Sequence, residues 1–246
     1  KIKTIHAGLK LKLKPTQILA VGFAALILVG GILLSLPIAS KNGQSLELLD
    51  ALFTATSAVC VTGLVVADTY TQFSIFGQLV IMLLIQIGGL GIMTMATLVF
   101  LLLGKKITLR ERLVMQEALN QLTLSGLVKL TRHILLTTFI FEGVGALLLS
   151  MRFTQIYGFG KGLYYGLFHA VSAFNNAGFD IVGGFRGLTP FVEDPIINIV
   201  IMSLIVFGGL GFSVIYDILT KRDFKRLSLH SKVVISMTGM LLLMGF

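Results

Sequence analysis

The sequence predicts an all-α membrane protein in which one helical unit occurs twice. The first observation is composition: 55% of the 246 residues are hydrophobic and 13% are charged, whereas about 25% of residues are charged in a typical soluble domain. The second is an internal repeat, since residues 53–63 recur as residues 168–178 with Phe, Ala and Ser-Ala at matching positions. Together these observations indicate a membrane-embedded chain built from two copies of one unit.

Four apolar stretches approach or exceed the length needed to cross a bilayer. The bilayer core requires about 20 mostly apolar residues per helix, and the candidate spans are residues 16–36, 75–103, 134–151 and 196–219. Residues 46–57 and 163–173 are apolar but too short to cross, as expected of re-entrant helices. Each copy therefore predicts a spanning helix, a short helix, an extended stretch and a second spanning helix.

The two extended stretches carry the chemistry. Residues 59–63 and 174–178 each end in a glycine. Non-helical backbone at membrane depth is tolerated only where protein buries it or where it lines a watery cavity. Glycine adopts backbone angles that can turn carbonyl groups toward an axis, and rings of carbonyl groups replace the hydration shell of a cation. The two stretches therefore predict a cation-selective filter.

Charge predicts the orientation of the chain in the membrane. Most of the 20 Lys and Arg residues fall before residue 15, between 105 and 132, and between 221 and 232. Cytoplasmic loops carry the excess of Lys and Arg, so we expect a cytoplasmic N-terminus. The opposite face would hold acidic residues that concentrate cations: Glu47, Asp50, Asp68, Asp180, Glu193 and Asp194. This topology accounts for the net charge of +9, and no nucleic-acid partner is expected.

Five segments follow from these features. We expect a cytoplasmic basic arm at 1–15, a first pore repeat at 16–103, a cytoplasmic connecting segment at 104–132, a second pore repeat at 133–219, and a cytoplasmic loop with the start of a third repeat at 220–246. The final apolar run, 233–246, is too short to cross. It is either the first helix of a third repeat or an interfacial tail on a two-repeat chain whose homodimer closes one pore.

These motifs resemble those of a known family. Residues 56–64, residues 175–179 and the cluster Gly88-Gly89-Leu90-Gly91 resemble the Trk/Ktr/HKT superfamily of potassium transporters, and within it the membrane (KtrB-like) subunit of bacterial Ktr systems. The resemblance implies a potassium-channel-like pore of four repeats, two of which are in this chain. It implies that K⁺ is bound by backbone carbonyls of the filter residues, which are Val59, Cys60, Val61, Thr62, Gly63, Asn175, Asn176, Ala177, Gly178 and Phe179.

The resemblance also implies partners. Family members are homodimers in the lipid bilayer of the bacterial cell membrane, seated on a cytoplasmic ring of nucleotide-binding (KtrA-like) regulatory subunits. ATP or ADP would then bind to that partner, with K⁺ as the transported ion and Na⁺ as a candidate modulator. Basic residues on the inner face are candidate docking residues for the regulator: Arg110, Arg112, Lys225 and Arg226.

Two other classes of function fit the sequence less well. A secondary transporter with alternating access also uses broken helices at the midplane, but an even number of spans per unit makes the two copies parallel, as a pore requires. An intramembrane enzyme is disfavoured because the filter stretches contain no acid–base pair and no cluster of metal-binding side chains. The protein is therefore not expected to be an enzyme.

Several residues within the apolar segments have more than one interpretation. The clusters Gly88-Gly89-Leu90-Gly91 and Gly208-Gly209-Leu210-Gly211 are interpreted as sites of helix packing in preference to gating. Gln86 is expected to form hydrogen bonds between helices, and His169 is expected to be a packing residue that forms hydrogen bonds. The Cys60 thiol is expected to face away from the filter. Glu142 is an intramembrane acid and so a functional candidate, although a structural role fits equally well. Nothing in the sequence places Glu142 near the filter.

Overall fold

The computed structural model describes residues 14–102, 107–119 and 127–245. Within these ranges the chain is almost entirely helical, and its only β-type pairing is an isolated bridge between Ser40 and Phe73. The all-α prediction is confirmed. Most of the predicted basic arm and Lys105 and Lys106 of the connecting segment lie outside the described residues.

The first half contains a long helix, a short helix and a broken helix. Its elements are α1 (Pro15–Ser35), α2 (Leu48–Val59), α3 (Thr69–Gln72), α4 (Ile75–Leu90) and α5 (Ile92–Leu102). Pro15 occupies the first turn of α1, where its missing N–H needs no partner. The helix ends before Pro37, because proline disfavours helical backbone in the residue preceding it. The predicted order of elements is present in this half.

The second half repeats that order after a short connecting helix. Its elements are α6 (Leu109–Ala118), α7 (Leu127–Tyr157), α8 (Phe159–Phe174), α9 (Pro195–Gly209), α10 (Phe212–Lys221) and α11 (Leu229–Gly245). A reciprocal capping box between Thr108 and Glu111 begins α6. The Asp194 side chain accepts hydrogen bonds from the backbone N–H groups of Ile196 and Ile197 at the start of α9.

Helix α7 extends beyond the predicted span 134–151, and the chain turns from α7 into α8 at a single glycine. Helix α7 continues through Arg152 to Tyr157, and only Gly158, with φ of +82°, separates it from α8. The Arg152 guanidinium is neutralised by the Asp194 carboxylate, with Nε and Oδ2 2.5 Å apart. Arg152, which lies within α7, therefore forms an ion pair and does not end the helix.

The second spanning helix of each half is sharply bent. Helices α4 and α5 meet at 102°, and α9 and α10 meet at 93°. Gly91 and Gly211 lie at the breaks with φ of +81° and +86°, a conformation that glycine adopts without steric cost. Two described helices, α1 and α7, are long and apolar enough to cross a membrane, and up to four crossings result if each bent pair is one span. The predicted spans 75–103 and 196–219 are therefore each two helices joined at a bend.

The core of the protein is built around the short helices α2 and α8. Ala51, Ala55 and Ala58 of α2 are fully buried, as are Phe168 and Ala170 of α8. The two halves pack in the same register. A Cβ on Gly30 of α1 would lie 2.7 Å from Leu84 of α4, and a Cβ on Gly145 of α7 would lie 2.7 Å from Leu204 of α9. Small residues thus let matching helices approach closely in both halves.

Candidate ion-coordination site

The backbone leaves both short helices in the same way. Val59 and Phe174 are the last helical residues, and the next three residues make corresponding hydrogen bonds from backbone N–H to carbonyl groups. The pairs in the first half are Cys60 to Thr56, Val61 to Ala58 and Thr62 to Ser57, and those in the second are Asn175 to Val171, Asn176 to Ala173 and Ala177 to Ser172. The sequence repeat is therefore also a repeat of backbone geometry.

The same two positions in each stretch have left-handed backbone. The φ angles are +52° at Val61 and +57° at Asn176, and +73° at Gly63 and +71° at Gly178. A β-branched residue with positive φ is a conformational outlier, whereas asparagine and glycine tolerate it. The fold therefore holds Val61 in an angle that its own side chain disfavours.

The two stretches lie directly beside one another. A Cβ on Gly63 would lie 2.9 Å from the carbonyl oxygen of Ala177, and a Cβ on Gly178 would lie 3.2 Å from the Cα of Gly63. Neither position has room for a side chain without displacing the opposite backbone. The structure thus brings together the two glycines that the sequence matched, with carbonyl groups between them.

Matching serines brace the two turns. In the first half the hydroxyl groups of Ser57 and Thr62 are 2.8 Å apart. In the second half the Ser172 hydroxyl donates to the carbonyl oxygen of Phe179 at 2.6 Å. Both serines are 3% exposed, so the base of each stretch has a hydrogen bond made by a buried hydroxyl group.

The glycine clusters pack against the ends of the short helices, as expected. A Cβ on Gly88 would overlap the carbonyl oxygen of Val59, and a Cβ on Gly208 would overlap that of Phe174. Gly91 and Gly211 also lie at the helix breaks described above, so each cluster combines close packing with a bend.

A buried polar group lies behind the second stretch, and sequence reasoning missed it. The Asn175 side chain donates from Nδ2 to Oε1 of Glu142 at 2.9 Å, and the Gln86 side chain donates from Nε2 to Oε2 of Glu142 at 3.1 Å. Glu142 is therefore next to a filter residue. Each of the three was visible as a polar side chain in an apolar environment, but no local signal indicated that they meet.

His169 and Cys60 differ in environment. His169 is buried, with Nδ1 2.7 Å from the carbonyl oxygen of Tyr165, in agreement with a packing role. Cys60 is a free cysteine and is exposed. At the corresponding position the Asn175 side chain is anchored, so the two filter stretches differ in their support.

Acidic side chains lie in the loops that follow the two stretches. The Asp68 carboxylate accepts from the backbone N–H of Thr71 at 2.7 Å and of Phe185 at 2.8 Å, which ties the loop after the first stretch to the second half. Burial would raise the pKa of Asp68, but these hydrogen bonds outweigh burial and hold the pKa below its usual value. Asp180 lines a cavity of about 310 Å³ that also includes Gly178 and Phe179.

The candidate docking residues lie in two places. Arg112 is exposed on α6, and Lys225 and Arg226 are exposed in the short 3₁₀ turn Phe224–Arg226. Arg110 is on α6, and its side chain lies outside the described part of the chain. Arg226 is paired with Asp223 at 3.7 Å, an exposed ion pair of little energetic weight.

Known proteins with similar sequences carry names of ion transporters. The chain is 50% identical to Ktr system potassium uptake protein B of Bacillus subtilis, over 92% of this chain and 50% of that protein. It is 46% identical to the potassium/sodium uptake protein NtpJ of Enterococcus hirae, over 96% of this chain and 52% of that protein. It is 39% identical to Ktr system potassium uptake protein B of Vibrio alginolyticus, over 93% of this chain and 50% of that protein.

The chain spans about half the length of these relatives. The model of the TrkH family, described as cation transport protein, matches residues 13–242 and so covers both halves of the fold. The two bent helix pairs, the two short helices and the apolar surface make it a multi-pass membrane protein. This chain therefore belongs to the TrkH family of cation transport proteins.

Proposed function

We propose that this chain forms part of a channel-like pore through which potassium ions are taken up across the cell membrane. The observation that carries the proposal is the pair of matching turns at the ends of α2 and α8, with Gly63 and Gly178 side by side. The names of the relatives support K⁺ as the transported ion. Transport, rather than an enzymatic reaction, is then the activity of this chain.

The proposed coordination groups are backbone carbonyls of residues 59–63 and 175–179. Left-handed backbone at two positions in each stretch reorients successive peptide groups, so that several carbonyls of one stretch can face a common axis. The C-terminal ends of α2 and α8 lie at the start of the stretches, and their partial negative charge favours a cation. A full cage needs donors on all sides, and we infer that two further stretches complete a ring of four.

The proposed orientation has the N-terminus in the cytoplasm. The Lys and Arg excess in the connecting segments supports it, as does the location of Asp68, Asp180 and Asp194 on loops at the opposite end of the spanning helices. Carboxylates near the outer end of the filter would raise the local concentration of cations before they enter. We place the protein in the bacterial plasma membrane.

Regulation is proposed to come from a cytoplasmic nucleotide-binding subunit on a homodimer of the complete transporter. Arg110, Arg112, Lys225 and Arg226 are its proposed docking residues. Reversing all four charges should weaken co-purification of the regulator, while Lys161→Glu on the opposite face should have no effect. Full regulator binding and full ATP/ADP control in the fourfold variant would contradict the docking proposal.

Flux measurements in liposomes test the transport mechanism. A channel should carry K⁺ passively, with flux that stops when the electrochemical gradient of K⁺ is zero. Alternating access is a second candidate mechanism. The helices are broken at Gly91 and Gly211, and broken helices also form ion sites in carriers. Movement of K⁺ against its gradient at the expense of a Na⁺ gradient would favour that carrier, and an absence of K⁺ flux would contradict both.

A further inference from the structure

A closed ring of polar side chains lies where the first half of the chain meets the second filter stretch. Nδ2 of Asn175 donates to Glu142 Oε1 at 2.9 Å and to Gln86 Oε1 at 3.3 Å, and Nε2 of Gln86 donates to Glu142 Oε2 at 3.1 Å. Gln86 is on α4, Glu142 is on α7, and Asn175 caps α8. The ring therefore ties the beginning of the filter turn to a spanning helix of each half.

The surroundings favour one orientation of the Asn175 amide. Nδ2 also lies 2.9 Å from the carbonyl oxygen of Val171, so three oxygen atoms surround this nitrogen. If Nδ2 and Oδ1 exchanged positions, Oδ1 would lie against these three oxygen atoms, and the hydrogen bonds would be lost. The two carboxylate oxygens of Glu142 accept one hydrogen bond each, Oε1 from Asn175 and Oε2 from Gln86. The hydrogen bonds thus fix the rotation of a side chain whose own backbone begins the second stretch.

The ring is also enclosed. Gln86 is 8% exposed and Glu142 is 5% exposed, so water offers little replacement for a lost partner. Gly89 makes room for the amide, because a Cβ there would overlap Oδ1 of Asn175. Among the described residues, Glu142 makes no ion pair. Its observed partners are the two amides of the ring.

The first stretch has no such ring. Cys60 takes the position of Asn175, and Ile27 and Val206 take the positions that match Glu142 and Gln86 when the two halves are aligned on Gly30–Gly145 and Leu84–Leu204. An apolar pair cannot hold a side chain by hydrogen bonds. The polar support is therefore specific to the second half.

We propose that Glu142, together with Gln86, is a positioning residue for ion selection: it holds the Asn175 side chain, and through it the turn from α8 into residues 175–178, in the geometry that discriminates K⁺ from Na⁺. This inference rests on the proposed function. Glu142 acts through Asn175 and does not itself touch the ion. Loss of the ring should let the turn adopt other geometries, which lowers selectivity more than it lowers total flux.

The test is the ratio of K⁺ to Na⁺ uptake by the assembled transporter at equal amounts in the membrane. Glu142→Ala should lower this ratio about tenfold, a factor that corresponds to about 1.4 kcal/mol. Glu142→Gln should lower it less, because a side-chain amide keeps an acceptor for Asn175. Thr138→Val is the matched control: Thr138 is one turn away on α7, is fully buried and makes no side-chain hydrogen bond, and its variant should keep the wild-type ratio.

A double substitution separates positioning from packing. In an Asn175→Ala background, Glu142→Ala should cause no further change in the ratio, because the side chain through which it acts is already absent. If Glu142→Ala does not reach the membrane, Gln86→Leu replaces it, since it removes two of the three hydrogen bonds and should also lower the ratio.

Three results would overturn the inference. They are a wild-type ratio in the Glu142 and Gln86 variants, an equal loss of selectivity in Thr138→Val, and independent, additive effects of Glu142→Ala and Asn175→Ala. A wild-type transporter that takes up no K⁺ would instead contradict the proposed function itself, and this inference with it.

Discussion

The two halves of the molecule share one backbone design but stabilise it with different side chains. The turns after α2 and α8 have the same hydrogen bonds and nearly the same φ angles. The second turn is anchored by Asn175 to Glu142 and by Asn176 to the carbonyl oxygen of Ile205 at 3.3 Å. The first has Cys60 and Val61 at these positions. The two repeats therefore share a backbone geometry, but they do not share the side-chain hydrogen bonds that stabilise it.

The difference shows which contacts the filter geometry requires. Two contacts are found in both halves: a glycine packs against the last helical carbonyl, and a buried serine forms a hydrogen bond below each turn. The hydrogen bonds of the Asn175 and Asn176 side chains are found in the second half alone. We therefore expect equal responses to substitutions at the shared contacts and unequal responses elsewhere.

The largest effect is expected from the glycines that pack on the short helices. Gly88→Ala and Gly208→Ala each place a Cβ on a backbone carbonyl oxygen, of Val59 and Phe174 respectively, and each should destabilise the protein by about 3 kcal/mol. Thermal unfolding of the purified transporter measures this loss. Gly143→Ala on α7 is the control, since its Cβ would meet open space. A strong effect in one half alone would break the equivalence of the two repeats.

Selectivity should fall in either filter-glycine variant. Gly63→Ser and Gly178→Ser add side chains at φ near +70°, which costs about 1–2 kcal/mol per residue, and we expect the K⁺ to Na⁺ uptake ratio to drop by roughly tenfold. Gly43→Ser is the control, because Gly43 has φ of +67° but open space around it. Unchanged ratios in both filter variants would remove the filter assignment.

A smaller effect is expected at Asp68, which links the two halves by a hydrogen bond that has no counterpart in the second half. Asp68→Asn should destabilise the fold by about 1 kcal/mol, because the charge-assisted hydrogen bond from the N–H of Phe185 is weakened. The matching position in the second half is Gly183. Unfolding of Asp68→Asn compared with Glu193→Gln, an exposed acid on the same side, measures the contribution.

The pH dependence of that contribution has a definite sign. The pKa of Asp68 is below its usual value of 3.8 in the folded protein, so the stabilisation is fully present above about pH 4 and is lost as the pH falls through the folded pKa. The Asn variant should lack this part of the acid destabilisation. An acid transition of equal depth in wild type and variant would contradict the role given to the carboxylate.

The smallest effect is expected at Val61 and Asn176, the residues with left-handed backbone that lie two positions before the filter glycines. Val61→Asn should stabilise the protein by up to about 1 kcal/mol, since asparagine tolerates φ of +52° better than valine. Asn176→Val should do the reverse and also lose the hydrogen bond to Ile205. Chemical or thermal unfolding of both variants measures the difference, and destabilisation by Val61→Asn would show that the valine packs better than its angle suggests.

Much of this site could be predicted from the sequence because it is encoded locally. The matching of residues 53–63 with 168–178 located both short helices and both glycines. Apolar lengths located the spanning helices. The assignment of carbonyls to K⁺ stays a prediction, as do the five segment boundaries and the docking residues.

Other features could not be predicted, and each depends on residues far apart in the chain. Helix α7 continues past the predicted span 134–151 to Tyr157, and Arg152 in this extension pairs with Asp194, which is 42 residues away in the chain. The sequence allowed glycine clusters to pack or to bend, and the structure shows that they do both.

The sequence by itself determined that this is a membrane protein with a repeated helix–turn unit and a glycine at the end of each turn. Hydrophobicity and short-range backbone geometry are properties of consecutive residues, so a repeat in sequence becomes a repeat in structure. Only the tertiary structure decided that the chain bends at Gly91 and Gly211 and that Gln86 and Glu142 meet at Asn175. A buried polar group must find its partner wherever packing brings one, and that location depends on how separate helices pack together.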